Sequence, residues 1–393
     1  MLIYNEQLEE LARYKAATDD PMISLYLNVT PPGDVSTQLN SLLHTARNEI
    51  SEKMDAEGAE RVERVFNRIE KHAKNQILRL KNTRLVAVFA DSGGFWQEYR
   101  LPVSLPGQLV VEPKACIRPL STLLDEFDRY LVLVADSRHA RLFSLYMGDF
   151  EEEPDVFMES EVPDRVRVNI SMAAGSGHAG GKVYGGIGDK RIESHIKDQI
   201  HKHMKTAADK TFEYFKKKKF SRFVIGTPDD KARPWLKAHL HSYLKNRLAG
   251  EFNANPSMPD TDLKNAAMET VARYERENEN RIIDALFEKS ASGSMAVLGV
   301  DPVIRALRKG QVHTLVVEND YRVKGYACHE DHVLSSRQED CPVCGAPMLE
   351  VGDLIDEMVG EAILHSSEIR HVFTAHGEFE KYHAGALLRF SMQ

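Results

Sequence analysis

Two periodicities alternate along this chain. Met22-Ile23-Ser24-Leu25-Tyr26-Leu27-Asn28-Val29 reads as a strand, and Thr30-Pro31-Pro32-Gly33-Asp34 closes it. Apolar residues then recur three and four apart, at Leu39, Leu42, Leu43, Ala46, Ile50 and Met54, and again at Val62, Val65, Phe66 and Ile69. That spacing predicts an amphipathic helix or helical hairpin, broken near Gly58. Leu85 to Phe89 predicts a buried strand. Asp91-Ser92-Gly93-Gly94 predicts a turn, and Phe95 to Val103 the strand that pairs back.

The pattern restarts twice. Tyr130 to Asp136 and Ala140 to Tyr146 predict a hairpin, followed by a glycine-rich segment and a long basic helix reaching about Lys219. Phe223-Val224-Ile225-Gly226 is a further strand. Pro234 suits the first turn of a helix continuing to Arg247, and residues 253–260 read as a linker. A charged helix from about Thr261 to Lys289 opens the third stretch. Strands at Met295–Val300 and Thr314–Val317, helices at Pro302–Lys309 and Val351–Leu364, and strands near His371 and at Ala386–Phe390 complete an α/β/α layer. The chain thus reads as α/β throughout, with domains expected at 1–125, 126–258 and 259–393.

Composition agrees. A chain of 393 residues exceeds what one core usually organises. Hydrophobic residues make up 42% and charged residues 28%, which is ordinary for a globular protein. No apolar run approaches the roughly 20 residues of a membrane span. The first residues lack the basic and apolar regions of a secretory signal, so the expected location is cytoplasmic. Four cysteines in this length make no disulfide scaffold. The net charge of −8 argues against uniform coating of nucleic acid and leaves room for one basic face.

That face lies after residue 175. Residues 175–188 read Gly-Ser-Gly-His-Ala-Gly-Gly-Lys-Val-Tyr-Gly-Gly-Ile-Gly, half of them glycine, which permits close backbone approach to a partner. Gly175, Gly177 and Gly180 match the letters of a dinucleotide fingerprint, but more glycines follow where a helix should open. A phosphate-binding P-loop fails too: Ser176 stands six before Lys182, and Val183 replaces the Ser/Thr that would hold Mg²⁺. From Lys182 to Lys219 the chain carries a net +6, with Ile192, Ile196, Ile200, Met204, Ala207 and Phe215 marking the buried face. A basic helix joined to a glycine-rich tip points to phosphate contacts rather than to a merely solvated face. His195, His201 and His203 have no carboxylate or Cys at supporting spacing for a metal.

Cys341-Pro342-Val343-Cys344-Gly345 is half of a zinc knuckle, and Cys328 lies thirteen residues upstream in Cys328-His329-Glu330-Asp331-His332. Three Cys and one His would complete a tetrahedral structural Zn²⁺ site, with His332 as fourth ligand and His329 as alternative. Asp331 occupies the position that would make a second CxxC. Cys116 stands alone and reads as a small buried residue.

Several segments are familiar. Ser24-Leu25-Tyr26 with Pro31-Pro32 resembles the opening of archaeal and eukaryotic class-1 release factors. Ala135-Asp136-Ser137-Arg138-His139-Ala140-Arg141-Leu142-Phe143 resembles the first hairpin of their middle domain. Ala296 to Val303, Leu307 to Val317, the knuckle and Gly385-Ala386-Leu387-Leu388-Arg389 resemble their third domain. The chain is similar to bacterial members of the release factor and Pelota superfamily, including Balon-like ribosome hibernation factors. The resemblance implies a three-domain, release-factor-like architecture of mixed-sheet α/β domains. The first would lie toward the decoding centre, and the third would face a translational GTPase, such as elongation factor Tu. Release factors carry Gly-Gly-Gln at the tip of the middle-domain loop. Here the nearest triplet is Gly180-Gly181-Lys182, and no Asn-Ile-Lys-Ser motif for stop-codon reading is present. The resemblance thus implies a monomeric ribosome-binding factor contacting rRNA of both subunits. Its contacts are expected from Gly177, His178, Gly180, Gly181, Lys182, Tyr184, Lys190, Arg191, Lys197, Lys202 and Lys205. It would occupy the A site in hibernation or stress protection, with no catalytic residue. The alternatives are rescue by peptidyl-tRNA hydrolysis and RNA binding off the ribosome.

Overall fold

The computed structural model describes residues 5–16, 20–30, 34–77, 83–153, 158–159, 187–228, 232–293, 295–373 and 377–390. They form two compact units. Residues 128–277 make one, and 1–127 together with 278–393 make the other.

The chain opens with α1 (Asn5–Arg13), β1 (Met22–Asn28), α2 (Val35–Lys53), α3 (Ala56–Asn75), β2 (Leu85–Ala90), β3 (Trp96–Leu101), β4 (Gln108–Glu112) and α4 (Arg118–Glu126). The strands build an antiparallel sheet in the order β3-β2-β1-β4. Its alternate positions Ile23, Leu25, Leu27, Val86 and Val88 pack on the apolar stripes of α2 and α3. The other face carries Ser24 and Tyr26, whose hydroxyls bond the backbone N–H (2.9 Å) and carbonyl (2.6 Å) of Cys116. That satisfies two polar groups buried in the layer. The two helices part at Met54-Asp55 rather than at Gly58. Asp55 caps α3 by accepting from the Gly58 N–H at 2.8 Å, which places Gly58 inside the first turn.

Next come β5 (Tyr130–Ala135), β6 (His139–Tyr146), β7 (Asp149–Glu152), β8 (Met158–Glu159), α5 (Ile187–Lys217), β9 (Arg222–Thr227), α6 (Ala232–His239), α7 (Ser242–Lys245), β10 (Leu248–Asn253) and α8 (Asp260–Ala291). The sheet order is β10-β9-β5-β6-β7, with β8 also on β6; β10, β9 and β5 run parallel. Leu131, Leu133, Phe223 and Ile225 pack on α5, α6 and α7, whereas Val132, Val134 and Val224 pack on Leu263 and Ala267 of α8. The helix expected to run on to Arg247 is interrupted after His239. The His241 ring accepts from the Tyr243 N–H (3.1 Å) and starts the separate turn α7. Strand β10 is a finding of the structure, created by parallel pairing with β9.

The remaining elements are β11 (Ala296–Leu298), α9 (Val300–Arg308), β12 (Val312–Glu318), β13 (Gly325–Cys328), β14 (Val333–Ser335), β15 (Leu349–Val351), α10 (Leu354–Leu364), β16 (Glu368–Val372) and β17 (Ala384–Leu388). One sheet has the order β11-β17-β12-β16 and carries α9 and α10 on one face. Ile283 and Leu286 of α8 cover the other. Gly385 lets α8 pack closely there: a Cβ would lie 2.5 Å from Leu286 Cδ2, which would have to shift. A small sheet, β14-β13-β15, carries the cysteines.

Buried polar groups join the two chain segments of this unit. Arg118 opens α4 and is 5% exposed. Its Nη1 donates to Asp353 Oδ2 at 2.8 Å, and its Nη2 donates to the carbonyls of Glu318 (2.8 Å) and Asn319 (2.6 Å). Its backbone N–H donates to Asp356 Oδ1 at 2.6 Å. Burial, then the neighbouring Asp353 charge, pushes the Asp356 carboxyl up to about 8.

Candidate metal centre and nucleic-acid interface

Cys328 ends β13 and pairs with Val333 of β14, so His329 to His332 form the hairpin loop. Across the small sheet, Cys341 and Cys344 sit on a turn. The Cys341 N–H donates to the Ala346 carbonyl and the Gly345 N–H to the Cys341 carbonyl, both at 2.8 Å. Gly345 has φ +73°, a left-handed conformation that glycine adopts without Cβ strain. The Val343 N–H points at Cys341 Sγ, 3.5 Å away.

These elements bring together Cys328, Asp331, Cys341 and Cys344, with one donor atom of each inside a 4.8 Å circle. Cys328 Sγ and Cys344 Sγ are 3.7 Å apart. Asp331 Oδ2 lies 3.4 Å from Cys328 Sγ and 3.2 Å from Cys341 Sγ. A tetrahedral divalent ion with thiolates at about 2.3 Å would hold its sulfurs about 3.8 Å apart, so the donors are spaced to take one. Thiol hydrogen bonds, from Cys344 and then Cys341, hold the Asp331 carboxyl below its ordinary range. The same bond to Asp331 pushes the Cys344 thiol up to about 12. A carboxylate discourages thiol ionisation, and a cation between the donors would reverse that sign.

The fourth residue of the cluster is Asp331, where the sequence suggested a histidine. His332, at φ +54°, is turned out of the cluster, and its Nδ1 lies 2.9 Å from Glu361 Oε1. His329 Nε2 lies 3.2 Å from Glu357 Oε1. Glu357 and Glu361 are four apart on α10, both buried, and Lys114 Nζ reaches them at 3.7 and 3.0 Å. Burial would raise the Glu357 carboxyl, but the bonds to His329 and Lys114 hold it below its ordinary value. Both histidines are therefore occupied in fixing the loop to α10. The signal for Asp331 was present as spacing: Cys328-x-x-Asp331 repeats the interval of Cys341-x-x-Cys344.

The second site is the outer face of α5. Ile196, Ile200, Met204, Ala207 and Phe215 face the sheet, and Lys197, Lys202 and Lys205 are exposed on the opposite face. The three histidines do not converge. His195 is exposed, and His203 is buried, where desolvation lowers its pKa. His201 stacks on Trp235 with ring centroids 4.7 Å apart. Lys190 and Arg191 fall in the first turns of α5, and their side chains are outside the described set. Gly177, His178, Gly180, Gly181, Lys182 and Tyr184 also lie outside the described residues. Cys116 is isolated, and burial raises its thiol pKa. No helix among the described residues is long and apolar enough to cross a membrane.

Residues 116–276, which span the glycine-rich segment and α5, match the family described as bacterial archaeo-eukaryotic release factor family 10. The chain is similar to peptide chain release factor subunit 1 of Archaeoglobus fulgidus. Identity is 22% over 355 residues, covering 88% of this chain and 79% of the relative. Among solved structures it is similar to an archaeal translation termination factor (15% identity, 99% of each chain, TM-score 0.27). Another is Archaeoglobus fulgidus Pelota (13% identity, 80% of this chain and 81% of that one, TM-score 0.32). The middle segment of the chain thus matches a release-factor family, and a release factor aligns along most of its length.

Proposed function

We propose that this protein is a cytoplasmic, monomeric ribosome-binding translation factor that occupies the A site as a hibernation or stress-protection factor and does not release peptide. One observation carries the reading. A segment that matches a release-factor family has Gly180-Gly181-Lys182 as its nearest triplet to the Gly-Gly-Gln that release factors carry. The glycines keep the backbone freedom to approach a crowded centre. Lysine changes the group presented: a protonated amine donates only, so it cannot accept a proton from attacking water. Phosphates around it would raise its pKa and keep it charged. Lys182 thus suits rRNA phosphate rather than water positioning. The exposed Lys197, Lys202 and Lys205 of α5 would extend the same contact.

Zn²⁺ is the ion that suits the three thiolates and one carboxylate of Cys328, Asp331, Cys341 and Cys344. Four protein ligands leave no open position, so its role would be structural. By the superfamily relationship, the last third of the chain would face a translational GTPase such as elongation factor Tu.

Purified protein should co-sediment with ribosomes. Added to a ribosome complex loaded with peptidyl-tRNA, it should release no peptide above background. Robust release that is lost on Lys182→Ala would overturn the reading in favour of rescue by hydrolysis. Failure to co-sediment would place the protein off the ribosome.

A further inference from the structure

The three parallel strands of unit 128–277 begin side by side, each with an arginine at or just before its first residue. Arg129 precedes β5, Arg222 opens β9 and Arg247 precedes β10. The Ser221 and Arg222 N–H groups both donate to the Arg129 carbonyl, at 3.0 and 3.4 Å, and the Phe223 N–H donates to the Arg247 carbonyl at 3.1 Å. Neighbouring strands are about 4.8 Å apart, so the three strand entries lie side by side; because Tyr130 pairs with Arg222, the Arg222 side chain leaves the face covered by α8, over Tyr274, whereas Arg129 and Arg247 lie over Phe220 and Tyr243 on the α5 and α7 side. Arg129 Nη1 donates to the Lys218 carbonyl at 2.8 Å, which brings the Lys216-Lys217-Lys218-Lys219 end of α5 to the same edge. Lys245 of α7 adds an eighth cation two residues before Arg247.

None of the eight lies within salt-bridge distance of a carboxylate among the described residues. Aromatic rings hold five of them instead. The guanidinium of Arg247 sits 3.8 Å from the Tyr243 centroid, that of Arg129 5.0 Å from Phe220, and that of Arg222 5.6 Å from Tyr274. Lys216 and Lys218 lie over Phe212 and Tyr214 at 5.4 and 5.8 Å. A ring stabilises a cation through its face without neutralising it, and leaves N–H edges available to an oxyanion. Lysines at the end of a helix also complement its dipole. That accounts for Lys216 and Lys217 alone, not for the four cations on β9, α7 and the strand entries.

We propose that this edge is a second RNA-backbone contact, separate from the glycine-rich loop. It sits at the far end of α5, whose 31 residues span about 46 Å. The proposal rests on the ribosome-binding reading for the identity of the RNA, not for the surface itself. Mutual repulsion among the cations gathered at the end of α5 is relieved by a polyanion, and fixed guanidinia fit phosphate oxygens.

The test uses the full chain with Lys216→Gln, Lys217→Gln, Lys218→Gln and Lys245→Gln combined, all at exposed positions. The matching four Lys→Arg changes form the control. Each lost phosphate contact should lower the salt slope of binding by about 0.9, so the Gln variant should lose roughly 3.6 units and bind ribosomes at least about tenfold more weakly. The Arg variant should bind like wild type. The same tenfold loss is expected on a short RNA duplex, which reads the surface whether or not the ribosome is the target. A photo-crosslinker replacing Lys217 should give ribonuclease-sensitive adducts on ribosomes. Unchanged duplex and ribosome binding by the Gln variant would overturn the proposal while leaving ribosome association standing. Crosslinks confined to an acidic protein would overturn it as well. A wild type that binds the duplex but no ribosome would refute the ribosome reading and not this surface.

Discussion

Replacing Arg118 with alanine tests how the two chain segments of unit 1–127 and 278–393 are held together. The side chain is almost fully enclosed and makes three charge-assisted hydrogen bonds, to Asp353 and to the carbonyls of Glu318 and Asn319. Its acceptors come from residues about 200 positions away in sequence. Truncation leaves Asp353 without its cation and two carbonyls without a donor. Removing one partner of a buried, hydrogen-bonded ion pair costs about 3–5 kcal/mol. Asp353 keeps some access to water, its side chain being 19% exposed, which favours the lower end of that range. About 3 kcal/mol is therefore expected. For a body of this size it corresponds to a fall of roughly 6–12 °C in Tm. Arg118→Lys keeps the charge but not the planar fork, and should recover part of the loss. Urea unfolding followed by circular dichroism measures each variant. A cycle with Asp353→Asn should show a coupling of about 1–3 kcal/mol. A cost below about 1 kcal/mol for Arg118→Ala, or no coupling to Asp353, would refute the idea that this arginine fastens the segments.

Three further outcomes are expected. Protein purified without chelator should carry stoichiometric zinc, and Cys341→Ser or Asp331→Ala should lose most of it; full zinc content in Asp331→Ala with loss in His332→Ala would return the fourth position to histidine. Neutralising Lys197, Lys202 and Lys205 together should flatten the salt dependence of ribosome co-sedimentation by roughly 2.7 units, at about 0.9 per contact, and unchanged binding would make this face merely solvated. The pH dependence follows from Asp356, whose folded pKa of about 8 exceeds its ordinary 3.8. The folded chain then binds more protons than the unfolded chain between about pH 4 and 8, so this group lowers stability as pH rises across that window. Asp356→Asn should remove the penalty, so its stability relative to wild type should grow from pH 4 to 8; a pH-independent difference in urea titrations would contradict the assignment.

Much of the secondary structure was legible from neighbours two to four residues apart. The run around Leu25, the stripes of α2 and α3, and the buried face of α5 each place apolar side chains on one side of an element, and such patterns need no distant information. The helix break near Gly58 was misplaced by a few residues because a side-chain cap at Asp55, not backbone freedom, decides it. Strand β10 was missed because Leu-Ala-Gly-Glu-Phe-Asn has no alternation of its own and becomes a strand only against β9.

For the metal centre, sequence spacing alone determined the three cysteines. Which residue supplies the fourth donor was decided in three dimensions. Glu357 and Glu361 on α10 claim His329 and His332, and Asp331 is left facing the sulfurs. The gathering of Arg129, Arg222 and Arg247 at one end of the sheet was invisible for the same reason. These residues stand 93 and 25 positions apart, each ordinary in its own surroundings, and only parallel pairing of three strands sets them side by side. Local patterning is enforced by the period of one element, so the sequence by itself determines it. Charge clusters and ligand sets arise where separate elements meet, and the tertiary structure alone decides which side chains share that space.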